Sequence, residues 1–308
     1  MRSPILTSDE APQGVLLIDK PGGMSSHAVV SRVRKALGIR KVGHAGTLNP
    51  AATGLLVVGA GRATRLLGYL TRSDKAYSAV IRLGVSTITD DAEGESVRTS
   101  SCRGVGEADV RAALAAQVGT IEQRPSAVSA VKVDGKRAYD RVRAGEEVDL
   151  PARIVTIHEV VITGIRRSAD DESIDVDIEV TCAAGTYIRA IARDTGESLG
   201  VGGHVVSLRR TASGDFSINE AVALSDIVEQ PHLARESLMT LHDAATRSMS
   251  TLDLGGGEAQ AVRHGRVIPW PASDSPPAAE PVALTHQGEL LAIAEAKNGR
   301  TRYLAVFV

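Results

Sequence analysis

The apolar residues of this chain fall into short runs separated by polar turns, a pattern that predicts strands joined by amphipathic helices. After the turn at residues 20–23 (KPGG), valine and leucine recur at helical spacing, which predicts a helix capped by Ser25 or Ser26 and ended by Gly38. Continuous or alternating apolar runs predict strands at residues 14–19, 55–58, 77–83 and 174–180.

Helical and strand segments do not alternate regularly along the chain. Two helices are predicted at residues 107–117 and 187–199, between strands of unequal spacing. The run at 174–180 (IDVDIEV) alternates apolar and acidic residues with period two, which is typical of a strand with one solvated face. This pattern predicts an α+β domain built on a mixed, mainly antiparallel sheet with flanking helices.

The C-terminal part predicts a smaller β-rich unit. A stretch rich in proline and alanine at 271–281 interrupts it as a surface loop, and strands are expected at 282–285, 290–294 and 303–308. We therefore divide the chain into a disordered N-terminal tail, a main domain with an insertion at about 125–151, and a small C-terminal domain, at residues 1–13, 14–249 and 250–308.

Composition and charge exclude few functions. The chain has 308 residues, 43% of them hydrophobic, which suffices for a large core. The net charge of −2 is unlike that of a nonspecific polyanion binder, yet residues 28–41 and 124–143 are locally basic. Such clusters are able to follow a phosphate backbone, but charge alone favours ordinary solvated surfaces.

Targeting and redox signals point to the cytoplasm. The N-terminal residues lack the apolar segment of a signal peptide, and no apolar run approaches the roughly 20 residues that span a bilayer. Cys102 and Cys182 lie far apart without a CxxC or Cys/His pairing, so neither a metal site nor a disulfide framework is predicted.

A glycine-rich loop at residues 43–54 (GHAGTLNPAATG) is the strongest candidate for a site. Its three glycines and Pro50 permit unusual backbone angles and close approach to a ligand. It lies between a basic helix and an apolar strand, a common position for functional loops. By itself, the loop favours the ordinary interpretation, a tight loop–strand connection with a capping His44.

Several further segments, taken together with this loop, resemble the bacterial tRNA pseudouridine-55 synthases of the TruB class. The similarity covers roughly residues 14–212 in collinear order, and the C-terminal unit resembles that family's PUA-like RNA-binding domain more loosely. The segments that carry the resemblance are 18–26 (IDKPGGMSS), 43–54, 75–77 (KAY), 89–94 (TDDAEG), 125–132 (PSAVSAVK), 137–139 (RAY), 185–189 (GTYIR) and 203–210 (GHVVSLRR).

The resemblance implies a pseudouridine synthase fold and an isomerisation of uridine 55 in the T-loop of tRNA. The uridine lies inside the folded T-loop and has to be flipped into a pocket. No cofactor and no metal is implied, because the reaction has no net redox change. The expected partner is the T-arm of tRNA, the expected state is a monomer, and the insertion corresponds to an RNA-gripping thumb.

Site residues follow from the same resemblance. Asn49 occupies the position of the family's catalytic Asp, Tyr77 would pack on the flipped base and assist proton removal from C5, and Arg189 would pair with the catalytic carboxylate. Ordinary alternatives are a half-buried strand tyrosine and a solvated helix arginine. Substrate contacts are implied for Lys20, His44, Tyr187, Leu208, Lys132 and Arg137, against surface exposure, loop hydrogen bonding or core packing.

The family has Asp where this chain has Asn49, and three explanations are considered. An amide is a very poor nucleophile, so loss of an essential carboxylate predicts a severely impaired enzyme. Because the surrounding pattern is kept, a deliberate Asp-to-Asn replacement is favoured over a natural noncatalytic tRNA-binding or tRNA-folding paralogue. The third explanation is an active enzyme that uses another carboxylate, with Asp90 and Asp91 as candidates.

Overall fold

The computed structural model describes residues 11–126, 132–133, 136–137, 150–270 and 280–308. The N-terminal tail expected at 1–13 and the insertion expected at 125–151 therefore lie largely outside the described residues. The chain divides into two compact units. The first comprises residues 1–49, 55–73 and 214–308, and the second comprises residues 50–54 and 74–213.

The strands are β1 (Gly14–Lys20), β2 (Val42–Ala45), β3 (Thr53–Ala60), β4 (Lys75–Leu83), β5 (Val85–Thr87), β6 (Ser96–Thr99), β7 (Gly119–Gln123), β8 (Lys132–Val133), β9 (Lys136–Arg137), β10 (Arg153–Arg167), β11 (Ile174–Cys182), β12 (Gly203–Ser213), β13 (Phe216–Ser217), β14 (Val222–Ala223), β15 (Thr251–Asp253), β16 (Val282–His286), β17 (Glu289–Lys297) and β18 (Arg300–Val306). The helices are α1 (Ser26–Leu37), α2 (Leu67–Leu70), α3 (Glu107–Ala115), α4 (Ile188–Ser198), α5 (Leu224–Glu229), α6 (Leu233–Glu236), α7 (Leu241–Ser248) and α8 (Gly256–Arg263), with 3-10 turns at Gly61–Arg65 and Ile218–Glu220.

The second unit is built on an antiparallel sheet whose strand order is β12-β4-β11-β10-β7. The first residues of β3, Thr53 and Gly54, pair in parallel with Arg209 and Arg210 of β12, so the sheet is mixed and mainly antiparallel, as predicted. The alternation expected in β11 is confirmed, because Ile174, Val176, Ile178 and Val180 are buried while the residues between them are not. Helices α3 and α4 contribute Val110, Leu114, Ile188 and Ile191 to the same core.

The first unit joins N-terminal and C-terminal segments around shared apolar cores. In α1, Ser25 is the N-cap and accepts a hydrogen bond from the Ala28 amide, and Gly38 ends the helix with φ of 70°. Strands β15-β16-β17-β18 form a separate four-stranded sheet, which confirms the β-rich C-terminal region. Ile293 and Phe307 share one core cluster with Val15 and Leu55. The domain boundary expected at 249/250 stays a prediction.

Among the described residues, no helix has both the length and the apolar character needed to cross a membrane.

Candidate active site

The loop that carries Asn49 is held by Ser26 within the first unit. The Ser26 hydroxyl accepts from the Leu48 amide at 3.0 Å and donates to the Leu48 carbonyl at 3.1 Å. Both side chains are buried, whereas Asn49 is partly exposed. One serine at the start of α1 therefore fixes the backbone immediately before Asn49. The sequence allowed Ser25 or Ser26 as the cap, and the structure gives them separate tasks.

Lys20 and His44, both predicted substrate contacts, also belong to the first unit. Lys20 is fully buried, and its ammonium donates to the carbonyls of Pro21 at 2.8 Å and Met24 at 2.7 Å. This arrangement closes the turn after β1 and is not that of a surface lysine. His44 lies in β2, and its ring meets the His27 ring edge to face at a centroid separation of 5.3 Å.

In the second unit, Arg189 is buried and pairs with Asp91. The guanidinium Nη1 donates to Asp91 Oδ2 at 2.8 Å and to the Thr89 carbonyl at 2.8 Å. Asp91 also accepts a hydrogen bond from the Thr89 hydroxyl at 2.5 Å and one from the Glu93 amide at 3.2 Å. Arg189 is therefore no solvated helix residue: its planar fork is oriented by a carboxylate of the acidic turn at 89–94.

Asp90 makes a second ion pair directly beside the first. Arg193, one turn after Arg189 on α4, donates from Nη1 to Asp90 Oδ2 at 3.1 Å, and Ser126 donates to the same oxygen at 2.6 Å. Arg193 also donates from Nη2 to the Arg124 carbonyl at 2.8 Å. The acidic turn is thus tied both to α4 and to the segment that leads into the insertion.

Tyr77 lies on β4 as a partly buried residue that packs against the core, and its hydroxyl is hydrogen-bonded to the Arg210 guanidinium. Burial of the hydroxyl raises the pKa of Tyr77 above its usual value, and the positive charge of Arg210 opposes that rise. The phenol is therefore neutral near pH 7, and its oxygen is anchored by Arg210.

Leu208 and Tyr187 also belong to the second unit. Leu208 lies on β12 opposite Ala79 and packs, as Tyr77 does, against the core cluster under the sheet. Tyr187 is the N-cap residue of α4, and its amide donates to the side-chain oxygen of the buried Gln123 at 2.7 Å. Gln123 lies outside every segment that carries the resemblance, and Arg210 ends the segment 203–210 without a role assigned to it.

Lys132 and Arg137, expected to contact substrate, face each other in the short β8–β9 pair. Their side chains lie outside the part of the chain that the structure describes. No group of three or more His, Cys, Asp or Glu residues within the described ranges has the proximity that a metal ion requires.

Comparison with known proteins identifies the family. Residues 34–188 match the TruB family pseudouridylate synthase N-terminal domain, and residues 189–249 match the tRNA pseudouridylate synthase B C-terminal domain. The chain belongs to the TruB family of pseudouridylate synthases. A TruB relative from Thermobifida fusca, a tRNA pseudouridine synthase B, is 49% identical over 96% of this chain and 98% of its own length. The protein of the same name from Cutibacterium acnes is 47% identical, with 96% and 98% covered.

Solved structures agree with the TruB fold. One chain of the crystal structure of a Cbf5-Nop10-Gar1 complex matches this protein with a TM-score of 0.72 and 25% identity. The match covers 98% of this chain and 86% of that chain. A chain in the structure of an H/ACA RNP bound to a substrate RNA containing 2'-deoxyuridine matches with a TM-score of 0.73 and 24% identity, covering 96% and 85%. The predicted α+β pseudouridine synthase fold is confirmed.

Proposed function

We propose that this chain has the substrate and the reaction of a tRNA pseudouridine-55 synthase and that Asn49 severely impairs its catalytic step. The observation that carries the proposal concerns Leu48, the residue before Asn49. The Ser26 hydroxyl is hydrogen-bonded to both the amide and the carbonyl of Leu48. The loop is thus organised to present one side chain, and in this chain that side chain has no charge. The names of the Thermobifida and Cutibacterium relatives support tRNA as the substrate.

The reaction breaks the bond between ribose C1′ and uracil N1, rotates the uracil and forms a bond from C1′ to C5. The hydrogen on C5 leaves as a proton, and N1 gains one, so the product is an isomer of the substrate. A carboxylate at position 49 would act at the ribose or the base, and an amide cannot replace it as a nucleophile. The uridine reaches such a group only after it is flipped out of the T-loop.

The geometry of the second unit supports the roles proposed for Tyr77 and Arg189. Tyr77 is not fully buried, and we propose that its ring stacks on the flipped base. Arg189 is held by Asp91 and the Thr89 carbonyl, so its position is fixed before substrate arrives. Leu208 adds an apolar wall, and Tyr187 supports that wall.

We propose further substrate contacts from both units. Lys20 shapes the turn through its two carbonyl contacts, and this indirect role fits its full burial better than direct contact with a base. His44 meets the RNA where the base leaves the stack. Lys132 and Arg137 grip the T-arm from the insertion, by the resemblance alone.

Asp90 and Asp91 are poor candidates for a substitute nucleophile. Asp90 is engaged by Arg193 and Ser126, and Asp91 by Arg189 and Thr89. Carboxylates with two charged or polar partners are stabilised in place, and the observed bonds account for them as supports of α4. This counts against an active enzyme that uses either residue in place of position 49.

A noncatalytic tRNA-binding or tRNA-folding protein is the second candidate, and the specific observation in its favour is Asn49 itself. Neutral Asn49 removes a negative charge that would face the RNA backbone, so binding is retained in both accounts. The two differ only in what a restored carboxylate does. We further propose a PUA-like RNA-binding unit at 250–308, a monomeric state and a cytoplasmic location.

The substrate position is tested with tRNA labelled with tritium at C5 of uracil. The variant Asn49→Asp is mixed with labelled tRNA and, in parallel, with labelled tRNA in which uridine 55 is replaced by cytidine. We expect tritium release from the first RNA and none from the second. Equal release from both RNAs would show that another uridine is modified and would overturn the assignment of position.

A further inference from the structure

Arg210 is a buried cation of the second unit to which the family resemblance gives no role. It lies on β12, two residues after Leu208, and its side chain is only 1% exposed. A guanidinium is costly to bury, so such a residue needs strong interactions to repay its loss of hydration. One of these interactions is with Tyr77.

The register of the sheet places Arg210 directly opposite Tyr77 across the antiparallel β12–β4 pair. Side chains of directly opposed residues project on the same face of a sheet, which brings the guanidinium to the phenol. The hydrogen bond between them has one possible direction, because arginine has donors only: Arg210 donates and the Tyr77 oxygen accepts.

The backbone of Arg210 is held from its other side by Gly54. A Cβ at Gly54 would lie 2.3 Å from the Arg210 carbonyl oxygen and 2.8 Å from its amide nitrogen, and φ at Gly54 is +96°. Only glycine permits this close parallel pairing of β3 with β12. The Arg210 backbone is thus held between β3 and β4, which restricts the positions that its guanidinium can reach.

Arg210 and Cys182 act electrostatically on the Tyr77 phenol, and Arg210 also acts on Lys75. From β11, the buried Cys182 thiol has a pKa raised to about 11 by burial, so it is neutral near pH 7. From β4 itself, burial and then the charge of Arg210 lower the pKa of Lys75 to about 8, and Asp74 opposes this. Of the charged groups, Arg210 acts most strongly on the Tyr77 phenol.

We propose that Arg210 is a positioning residue for Tyr77: it fixes the phenol oxygen inside the sheet, turns the ring toward the base and favours negative charge on that oxygen. Insofar as it concerns catalysis, this inference rests on the proposed function of Tyr77. The part that concerns the phenol itself does not, because it is a property of the resting protein.

The first test measures the ionisation of Tyr77 in the full chain. Tyrosine is replaced biosynthetically by 3-fluorotyrosine, whose lower phenol pKa brings the titration into the pH range of the folded protein. The Tyr77 fluorine resonance is assigned from its absence in Tyr77→Phe. We expect Arg210→Met to raise the pKa of this residue by about one to two pH units, the strength of a hydrogen bond to a charged group.

Arg209→Met serves as the matched control, because it removes the same charge from the neighbouring residue, whose side chain points to the opposite face of the strand. It should leave the Tyr77 titration unchanged. The pKa of Tyr77 in Arg210→Lys should lie between its values in the parent and in Arg210→Met. Equal titrations in the parent and Arg210→Met would overturn the proposal. So would an equal change in Arg209→Met.

If Arg210 variants do not fold, the reciprocal measurement applies. The Nε–H group of Arg210 is followed by nitrogen-15 NMR in the parent and in Tyr77→Phe, which removes only the acceptor oxygen. Faster hydrogen exchange at Arg210 in Tyr77→Phe supports the contact. Unchanged exchange and chemical shift would overturn it.

The catalytic part is tested in the Asn49→Asp background. We expect Arg210→Lys to lower kcat about tenfold or more with little change in KM. It should also move the alkaline limb of the kcat–pH profile to higher pH. A kcat and a pH profile unchanged by Arg210→Lys would overturn the catalytic part. If Asn49→Asp itself is inactive, the proposed function fails, while the fluorotyrosine titration still decides the role of Arg210.

Discussion

Arg189 Nη1 and Asp91 Oδ2 are 2.8 Å apart, and both side chains are more than nine-tenths buried. The carboxylate partner of Arg189 within the second unit is therefore a residue of the acidic turn at 89–94. The resemblance implied a pairing with the catalytic carboxylate, and Asn49 carries no charge with which to make one. Asp91 thus holds Arg189 through a buried, charge-assisted hydrogen bond.

Removal of Asp91 should destabilise the chain strongly. We expect Asp91→Ala to lower the free energy of unfolding by about 3–5 kcal/mol, because the Arg189 charge stays buried without its carboxylate. Urea denaturation measures the difference. Glu93→Ala, an exposed residue of the same turn, should change it by less than about 0.5 kcal/mol. Similar small effects of both changes would show that the pair does not support the fold.

Loss of Ser26 should release the loop before Asn49 with little effect on α1. We expect Ser26→Ala to lower kcat of the Asn49→Asp protein at least tenfold, because both Leu48 backbone groups lose their partner. Ser25→Ala removes the N-cap and should lower stability by about 1 kcal/mol while the rate is kept. Tritium-release kinetics and thermal unfolding separate the two, and an unchanged rate in Ser26→Ala would contradict this role.

Lys75 should make stability depend on alkaline pH. Its pKa is about 8 in the folded chain against 10.5 for the unperturbed group, so the unfolded chain binds more protons between these values. The stability of the parent relative to Lys75→Met should therefore rise with pH through this window, by up to about 1.4 kcal/mol per pH unit. Denaturation of both proteins at several pH values tests this. A difference that stays constant, or falls, with pH would contradict it.

Gly54 should tolerate no side chain. We expect Gly54→Ala to lower the free energy of unfolding by more than about 3 kcal/mol, since its Cβ would meet the Arg210 backbone and its φ is +96°. Gly68→Ala in α2 is the matched control, because nothing lies within 4 Å of the Cβ position there. Denaturation midpoints compare the two variants. Equal stability of the Gly54 variant and the parent would rule out the close strand contact.

Local pattern was sufficient for the elements that follow one clear period. The strand β11 alternates strictly, and α4 has a continuous apolar face, so both were predicted within two residues of their bounds. The longest strand, β10, was missed. Its register shifts between Ile157 and Glu159 and again between Ile162 and Gly164, and each irregularity interrupts the alternation that identifies a strand.

The resemblance proposes site residues within contiguous motifs, but it does not assign the contacts that those residues make with one another. Asp90 has φ of 57°, a left-handed conformation, and adjacent Asp90 and Asp91 therefore reach different arginines. The sequence of two adjacent aspartates does not indicate which of them pairs with Arg189. The contacts of Arg210 with Tyr77 and of Ser26 with Leu48 were missed for the same reason, because they depend on strand register and loop path.

The central claim is that the catalytic machinery of a TruB-family enzyme is present and that position 49 alone lacks its carboxylate. Tritium release from tRNA labelled at uracil C5 tests it most directly, for this chain and Asn49→Asp side by side under single-turnover conditions. The claim predicts release by Asn49→Asp and a rate at least a thousandfold lower, as for loss of a nucleophile, in the chain as it stands. Equal rates of tritium release would contradict the need for a carboxylate at position 49. No release by either protein, with tRNA binding retained, would favour a noncatalytic tRNA-binding protein.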